Sequence, residues 1–334
     1  MRLIDSIKSS GYAIIDGALT KLAWRASLEM RLKVFRIFAR QLGVKTYTTD
    51  GALGWFEGGL EDRYVMPAYL YEKDYEPALQ HLLTDCIFRD GNGTIIDVGA
   101  NIGLTSIPLV RSRGVRCFAI EADPENFRLL QRNISANRVE SKITALNVAA
   151  FSHATTVEFE LSRDNFGDHR VRSAGDHGRR IDAFDETNRR VIKVPADTLD
   201  NLLGEELATM ARPIAMKIDI QGAEVQAFDG APRLLSQLDY LIAEFWPYGL
   251  ERSGASVHQF LDFLARFPFG ATYDRRVRAK NVKTPELERI EDLVERLNAS
   301  ASGRSPLWDA DLIVSRNSSF PRFVDRGGVT QDSG

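Results

Sequence analysis

TIIDVGANIGLTSIP, residues 94–108, decides how this chain is read. Thr94 to Val98 is apolar and β-branched, as a buried strand is, and Leu104 to Val110 begins like a packed helix. Between them Gly99, Ala100, Asn101, Ile102 and Gly103 form a turn with almost no side-chain bulk, which lets backbone come close to a ligand.

Outward from that turn, strand and helix alternate. A helix over 76–87 precedes it. After it come a helix over 104–112, a strand over 117–122, a helix over 124–137 and strands over 143–151 and 155–162. A strand over 214–220, a helix over 224–236, a strand over 240–245 and a last strand over 311–316 complete the series. Repeated βα units of this length predict a parallel sheet covered on both faces. Residues 162–192 interrupt the rhythm, dense in Arg and Asp, and read as a long polar loop of the kind that carries function. Thr284 and Pro285 predict the start of a charged helix reaching 299.

Residues 20–43 read as an amphipathic helix, with Leu28, Leu32, Phe35, Phe38 and Leu42 on one face and Arg25, Lys33, Arg36 and Arg40 elsewhere. Such a helix packs on its own domain, packs on a second copy in a homodimer, or lies on an anionic membrane surface. The expected organisation is a helical N-terminal extension over 1–60, a main domain over 61–326 carrying the 162–192 insertion, and a disordered tail over 327–334.

Composition bounds the partners. The 334 residues carry a formal net charge of -3, with 44% hydrophobic and 27% charged residues. No overall basic field argues for nucleic acid, and none is expected as a partner. Cys86 and Cys117 read as reduced thiols, and no apolar run approaches the roughly 20 residues of a membrane span, so a cytoplasmic protein is expected.

In open α/β sheets a ligand sits beyond the carboxyl ends of the strands. Glu121, at the end of the second strand, is placed to take both hydroxyls of a ribose. A dinucleotide wants GxGxxG, and GANIG lacks the middle glycine that admits a pyrophosphate. Asp97 suits a cationic group instead, such as the ammonium of an amino acid. Ribose, ammonium and a sulfonium charge together describe S-adenosylmethionine, the expected cofactor. A nucleotide-binding oxidoreductase on the same sheet and a non-catalytic scaffold are the competing readings.

The sequence also resembles the FkbM-type methyltransferases, a branch of the class I S-adenosylmethionine-dependent enzymes, from roughly Tyr71 to Arg316. The motifs are IIDVGANIGLTSI (95–107), AIEADPENFRLLQRNISAN (119–137), NVAAFS (147–152), NFGDHRV (165–171), VPADTLDNLL (194–203), MKIDIQGAEVQAFDGA (216–231) and AEFWP (243–247). Gln221 departs from the pattern, where the family often has Glu. The resemblance implies an α/β fold with a doubly wound, mostly parallel seven-stranded, Rossmann-like sheet, the helical extension lying outside it. It also implies methyl transfer to a hydroxyl oxygen of a sugar or polyketide-like acceptor, a small molecule or a glycan.

Asp97, Gly99, Asn101 and Gly103 are expected at the amino-acid end of the cofactor, and Glu121 at its ribose. Asp123 faces the adenine side or caps its helix, and Asn147 bonds the adenine amino group or sits satisfied in a loop. Asp219 is expected near the transferred methyl, with Glu224 a second carboxylate that also suits a helix start. His169 positions or deprotonates the acceptor hydroxyl, with Asp219 the other base. Asn165 and Arg170 are expected to bind the acceptor, over which their loop closes. The histidines show no metal-ligand spacing and no metal is expected, with a magnesium ion at Asp219 left open.

Overall fold

The structure, a computed structural model, describes residues 28–172, 189–301, 305 and 308–321. It divides into two units, residues 1–47 with 59–61, and residues 48–58 with 62–334. In the first, the helix Leu28–Gln41 buries Leu32 and Ala39, while Phe35, Phe38 and Leu42 are exposed. The buried stripe is therefore narrower than the one expected. Phe35 meets Tyr47 edge-on, Arg40 pairs with Glu61, and Arg36 Nε donates to the Leu60 carbonyl at 3.1 Å. Residues 20–27 of the expected helix, and the 327–334 tail, lie outside the described residues.

Strands β1 (Thr46–Gly51) and β2 (Gly54–Gly59) form a two-stranded sheet. The main sheet holds β3 (Thr94–Val98), β4 (Arg116–Ile120), β5 (Ile143–Leu146), β10 (Ile214–Ile218), β11 (Tyr240–Phe245), β12 (Phe269–Tyr273), β13 (Glu288–Arg289) and β14 (Ala310–Ser315). Their order is β13-β12-β14-β11-β10-β3-β4-β5. The five strands β5, β4, β3, β10 and β11 run parallel, while β14, β12 and β13 pair antiparallel. Eight strands thus replace the seven expected, the eighth being the two-residue edge strand β13.

A separate sheet, in the order β6-β9-β7-β8, joins β6 (Ala149–Ala150), β7 (Thr155–Leu161), β8 (Arg170–Val171) and β9 (Arg190–Asp197). The stretch expected as one strand over 143–151 is therefore two, in different sheets. The expected 162–192 loop ends in paired strands, and residues 173–188 lie outside the described residues. The helix expected over 224–236 breaks into Glu224–Asp229 and Pro232–Gln237. A Cβ on Gly230 between them would stand 2.1 Å from the Phe151 carbonyl oxygen, so only glycine fits there. The charged helix starts at Ile290 rather than after Thr284, because Glu288 and Arg289 pair with β12 first.

Alternation along the strands sends Ile96, Val98, Met216 and Ile218 into a large apolar core with Phe228, Phe260 and Leu293. The opposite face receives Asp97 and Lys217, which are register partners. Register also aligns the carboxyl ends. Ile120, Val98, Ile218 and Ala243 stand side by side, and Glu244, Asp311 and Tyr273 form the next row. With Glu121, Gly99 and Asp219 one step beyond their partners, the rim of the sheet reads Glu121, Gly99, Asp219, Glu244, Asp311, Tyr273. Among the described residues, no helix is long and apolar enough to cross a membrane.

Candidate functional site

A cavity at this rim is lined by Gly99, Asn101, Glu121, Phe166, His169 and Asp219, among others. Gly99 has φ of +80°, and a Cβ there would stand 2.1 Å from the Asp219 carbonyl oxygen. The turn therefore needs glycine both for its conformation and for the approach of β10. Gly103 is required differently: its Cβ would strike Ile107 and Leu130, so it serves helix packing and does not line the cavity.

Glu121 is fixed by backbone, accepting from the Asn101 N–H and the Asp123 N–H, each at 2.8 Å. A carboxylate has about four lone-pair sites, so two remain for ligand hydroxyls. Burial pushes its carboxyl up to about 7, against the stabilising Asp123 and Asn101 amides. The glycine cradle and the Glu121 carboxyl on the cavity wall fit the amino-acid and ribose ends of S-adenosylmethionine.

Three expected cofactor contacts resolve otherwise. Asp97 is fully buried off the cavity, with Lys217 Nζ 3.4 Å from its Oδ1. The contact is an ion pair within the sheet's covered face. The cation that Asp97 calls for is thus a side chain of the chain itself. Burial lowers the Lys217 ammonium, but Asp97, Asp219 and Glu76 more than offset this and raise it. Its Nζ also donates to the Gly99 carbonyl at 3.1 Å, bracing the turn. Asp123 caps its helix, accepting from the Asn126 N–H at 3.1 Å. Asn147 spends its amide on the Glu121 and Ala122 carbonyls at 2.9 and 3.2 Å.

The NFGDHRV loop lines the cavity on the side of Asn101 and Glu121. The Phe166 carbonyl accepts from the Asn101 and Asn126 amides at 2.9 and 3.1 Å, and the Phe166 N–H reaches Asp62 Oδ1 at 3.3 Å. The loop was expected over the acceptor, and these contacts tie it to the glycine turn, the helix after Asp123 and Asp62. His169 does share the cavity with Gly99 and Asp219. Its Nδ1 accepts the Ser162 N–H at 3.0 Å, which puts the ring proton on Nε2. Burial, with the Arg189 charge nearby, pushes the imidazole down to about 3. A neutral ring with its lone pair occupied donates hydrogen bonds and is a poor base. Its expected role narrows to positioning.

Other polar residues of the motifs are satisfied within the fold. Arg170 is buried and pairs with Glu160 at 3.1 Å and Asp168 at 3.6 Å, while Asn165 Oδ1 caps the Gly167 N–H at 3.1 Å. Neither lines the cavity, because short loops turn such side chains inward on their own amides. Glu224 is also buried off the cavity, and its Oε1 accepts the Ile220 and Gly222 N–H groups at 3.0 and 3.2 Å. It braces the turn that presents Asp219, and burial pushes its carboxyl up to about 7. Asp219 itself faces the cavity, with Oδ1 accepting the Gln221 amide at 2.7 Å.

Sequence reasoning passed over Lys217, Glu244, Arg275, Asp309 and Asp311. Lys217 had a legible signal, a charge inside the apolar strand IAMKIDI. Among the described residues, Glu244, Asp309 and Asp311 are the carboxylates that approach metal-ligand spacing, with atoms within 4.8 Å of one another. Asp219 is not of that group, and the Arg275 guanidinium contacts all three. The magnesium left open at Asp219 therefore finds no ligand set there.

The profile of the Methyltransferase FkbM domain matches residues 97–273. A tRNA (guanine(37)-N(1))-methyltransferase of Danio rerio is 44% identical over 55 residues, 16% of this chain. The chain spans 11% of that curated relative's length. Among solved structures, P. horikoshii TYW2 in complex with MeSAdo is 13% identical, covering 87% of this chain and 86% of its own, with a TM-score of 0.40. The complex of aTrm5 with tRNALeu is 20% identical, covering 31% of this chain and 28% of its own, with a TM-score of 0.25. The stretch shared with the fish tRNA methyltransferase overturns the expectation that excluded nucleic acid. A net charge averages over the whole surface and does not decide what one mouth of the sheet receives.

Proposed function

The chain belongs to the FkbM-domain methyltransferases, whose cofactor is S-adenosylmethionine, and from that premise we propose methylation of a hydroxyl oxygen on a sugar or polyketide-like acceptor. The observation carrying this reading is the division of the rim. Glu121 and Gly99 occupy one half, and Asp219, Glu244 and Asp311 the other. Carboxylates accept hydrogen bonds from hydroxyls and orient polyols well.

S-adenosylmethionine supplies an electrophilic methyl group on a sulfonium. In this reading Glu121 holds the ribose hydroxyls and the 99–103 turn lies along the amino-acid end. Asp219 takes the acceptor hydroxyl's proton as the oxygen attacks, and the bonding pair of the broken S–CH3 bond stays on sulfur. His169, through its Nε2–H, orients groups in the cavity without titrating. Alignment of acceptor and methyl supplies much of the rate.

The 55-residue stretch shared with the fish enzyme favours a second reading, methylation of a nucleic-acid base. One assay separates them. The protein is incubated with radiolabelled S-adenosylmethionine and either a polar glycan and metabolite extract or total tRNA. Label in an alkali-stable ether on a hydroxyl supports the first reading. Label confined to RNA bases overturns it.

A further inference from the structure

We propose that Arg275 is a positioning residue of the acceptor half of the rim, its guanidinium standing where a cluster of carboxylates elsewhere gathers a divalent cation. The proposal rests on the reading that Asp219 faces the acceptor. Arg275 follows β12 and turns back over the rim. Its Nη2 pairs with Glu244 and reaches Asp309 Oδ2 at 3.2 Å, while its Nη1 lies 3.3 Å from Asp311 Oδ1 and 3.9 Å from Asp219 Oδ2. The Arg275 N–H also meets Asp311 Oδ2 at 3.3 Å. One guanidinium therefore faces four carboxylates contributed by β11, β14, the residue just after β10 and the segment just before β14.

Geometry suits this cation better than a metal. A magnesium ion draws oxygen ligands to about 2.1 Å around one point, whereas a guanidinium offers five N–H donors spread in a rigid plane. Ligand atoms up to 4.8 Å apart match the spread fork. Asp219 is held from both sides, its Oδ1 by the Gln221 amide at 2.7 Å and its Oδ2 toward Arg275. Gln221 Nε2 is also 3.4 Å from Glu244 Oε2, so the two acids share one orienting frame. The frame aims the Asp219 carboxylate at the cavity without a metal. Burial and Asp219 push the Glu244 carboxyl up, and Arg275 opposes that shift.

The test uses manganese as a probe on the full chain. Wild type, Arg275→Ala and Arg275→Lys are titrated with Mn2+ by electron paramagnetic resonance, and S-adenosylhomocysteine affinity is measured in parallel. Wild type and Arg275→Lys are expected to take up no Mn2+, and Arg275→Ala about one ion per chain, with cofactor affinity unchanged in all three. Turnover, read on whichever acceptor the label-transfer assay identifies, should survive chelator in wild type. It should fall about a hundredfold in Arg275→Ala, the scale of an ångström misplacement, and recover in part with Mn2+. If Arg275→Ala does not fold, Arg275→Gln is read in the same titration. Mn2+ uptake by wild type, or none by the folded neutral variant, overturns the proposal. So does a neutral variant with full turnover in chelator. The Mn2+ titration needs no acceptor, so a mistaken acceptor class leaves its result standing.

Discussion

Asp97 has no exposure at all, and the cation beside it is Lys217 at 3.4 Å. Removing that cation strands a buried charge, which typically costs about 3–5 kcal/mol, while replacing both members of a pair with neutral groups costs far less. Lys217→Met should therefore lower the urea midpoint sharply, and adding Asp97→Asn should restore most of it. A single variant as stable as wild type would show that the pair contributes nothing. Gly99→Ala meets a different obstacle, a Cβ 2.1 Å from the Asp219 carbonyl at φ of +80°. The left-handed conformation alone costs roughly 1–2 kcal/mol, and the turn must also shift away from β10. S-adenosylhomocysteine titration should show at least about a tenfold loss of affinity, since each 1.4 kcal/mol is tenfold. Gly99, Glu121 and Asp219 were legible because a residue at a strand's carboxyl end can point to few places. Arg170, Asn165 and Glu224 were not, since a polar side chain in a motif does not announce whether it turns toward a ligand or toward its neighbours' amides.

At the scale of elements, the loop around His169 is tied through one carbonyl, Phe166 O, to the glycine turn by the Asn101 amide and to the helix Pro124–Ala136 by the Asn126 amide. Burial holds the imidazole near 3, far below its ordinary 6.5. The His169 Cε1 proton should accordingly show a flat NMR shift from pH 5 to 9. A midpoint near 6 or 7 would mean an accessible ring and restore it as a base. The loop was legible as a polar break in the alternation, yet its register was not, because β8 has only two residues and pairs with β7 across the main-chain turn. The same limit applies to 143–151, where an unbroken apolar run feeds two sheets. Periodicity marks a strand but not the sheet it joins. The charged helix was misplaced for a related reason, because Thr284 and Pro285 offer good capping chemistry and β12 competes for the residues that follow.

At the scale of the whole molecule, three buried carboxyls among the described residues are pushed up to about 7: Glu121, Glu224 and Asp311. Burial is the first cause in each. Their unfolded values lie near 4, so the folded chain binds more protons between roughly pH 4.5 and 7. Their contribution to stability is complete below the unfolded values and is lost as pH rises through the folded ones, at up to about 1.4 kcal/mol per unit for each group. Urea denaturation at pH 5, 6, 7 and 8 should show the chain without cofactor weakening upward across that window. A midpoint that rises with pH would contradict the burial of these acids. The order of strands has a temporal consequence as well. β14 lies between β11 and β12, although it follows both in the chain. On the ribosome, β12 emerges before the strand that must separate it from β11. A nascent chain halted at residue 300 already carries Glu121, Gly99 and Asp219, but not Asp309 or Asp311, and Arg275 has lost half its anchors. In the reading proposed above, translation thus supplies the residues of the Glu121 half of the rim before it supplies the last two carboxylates that anchor Arg275.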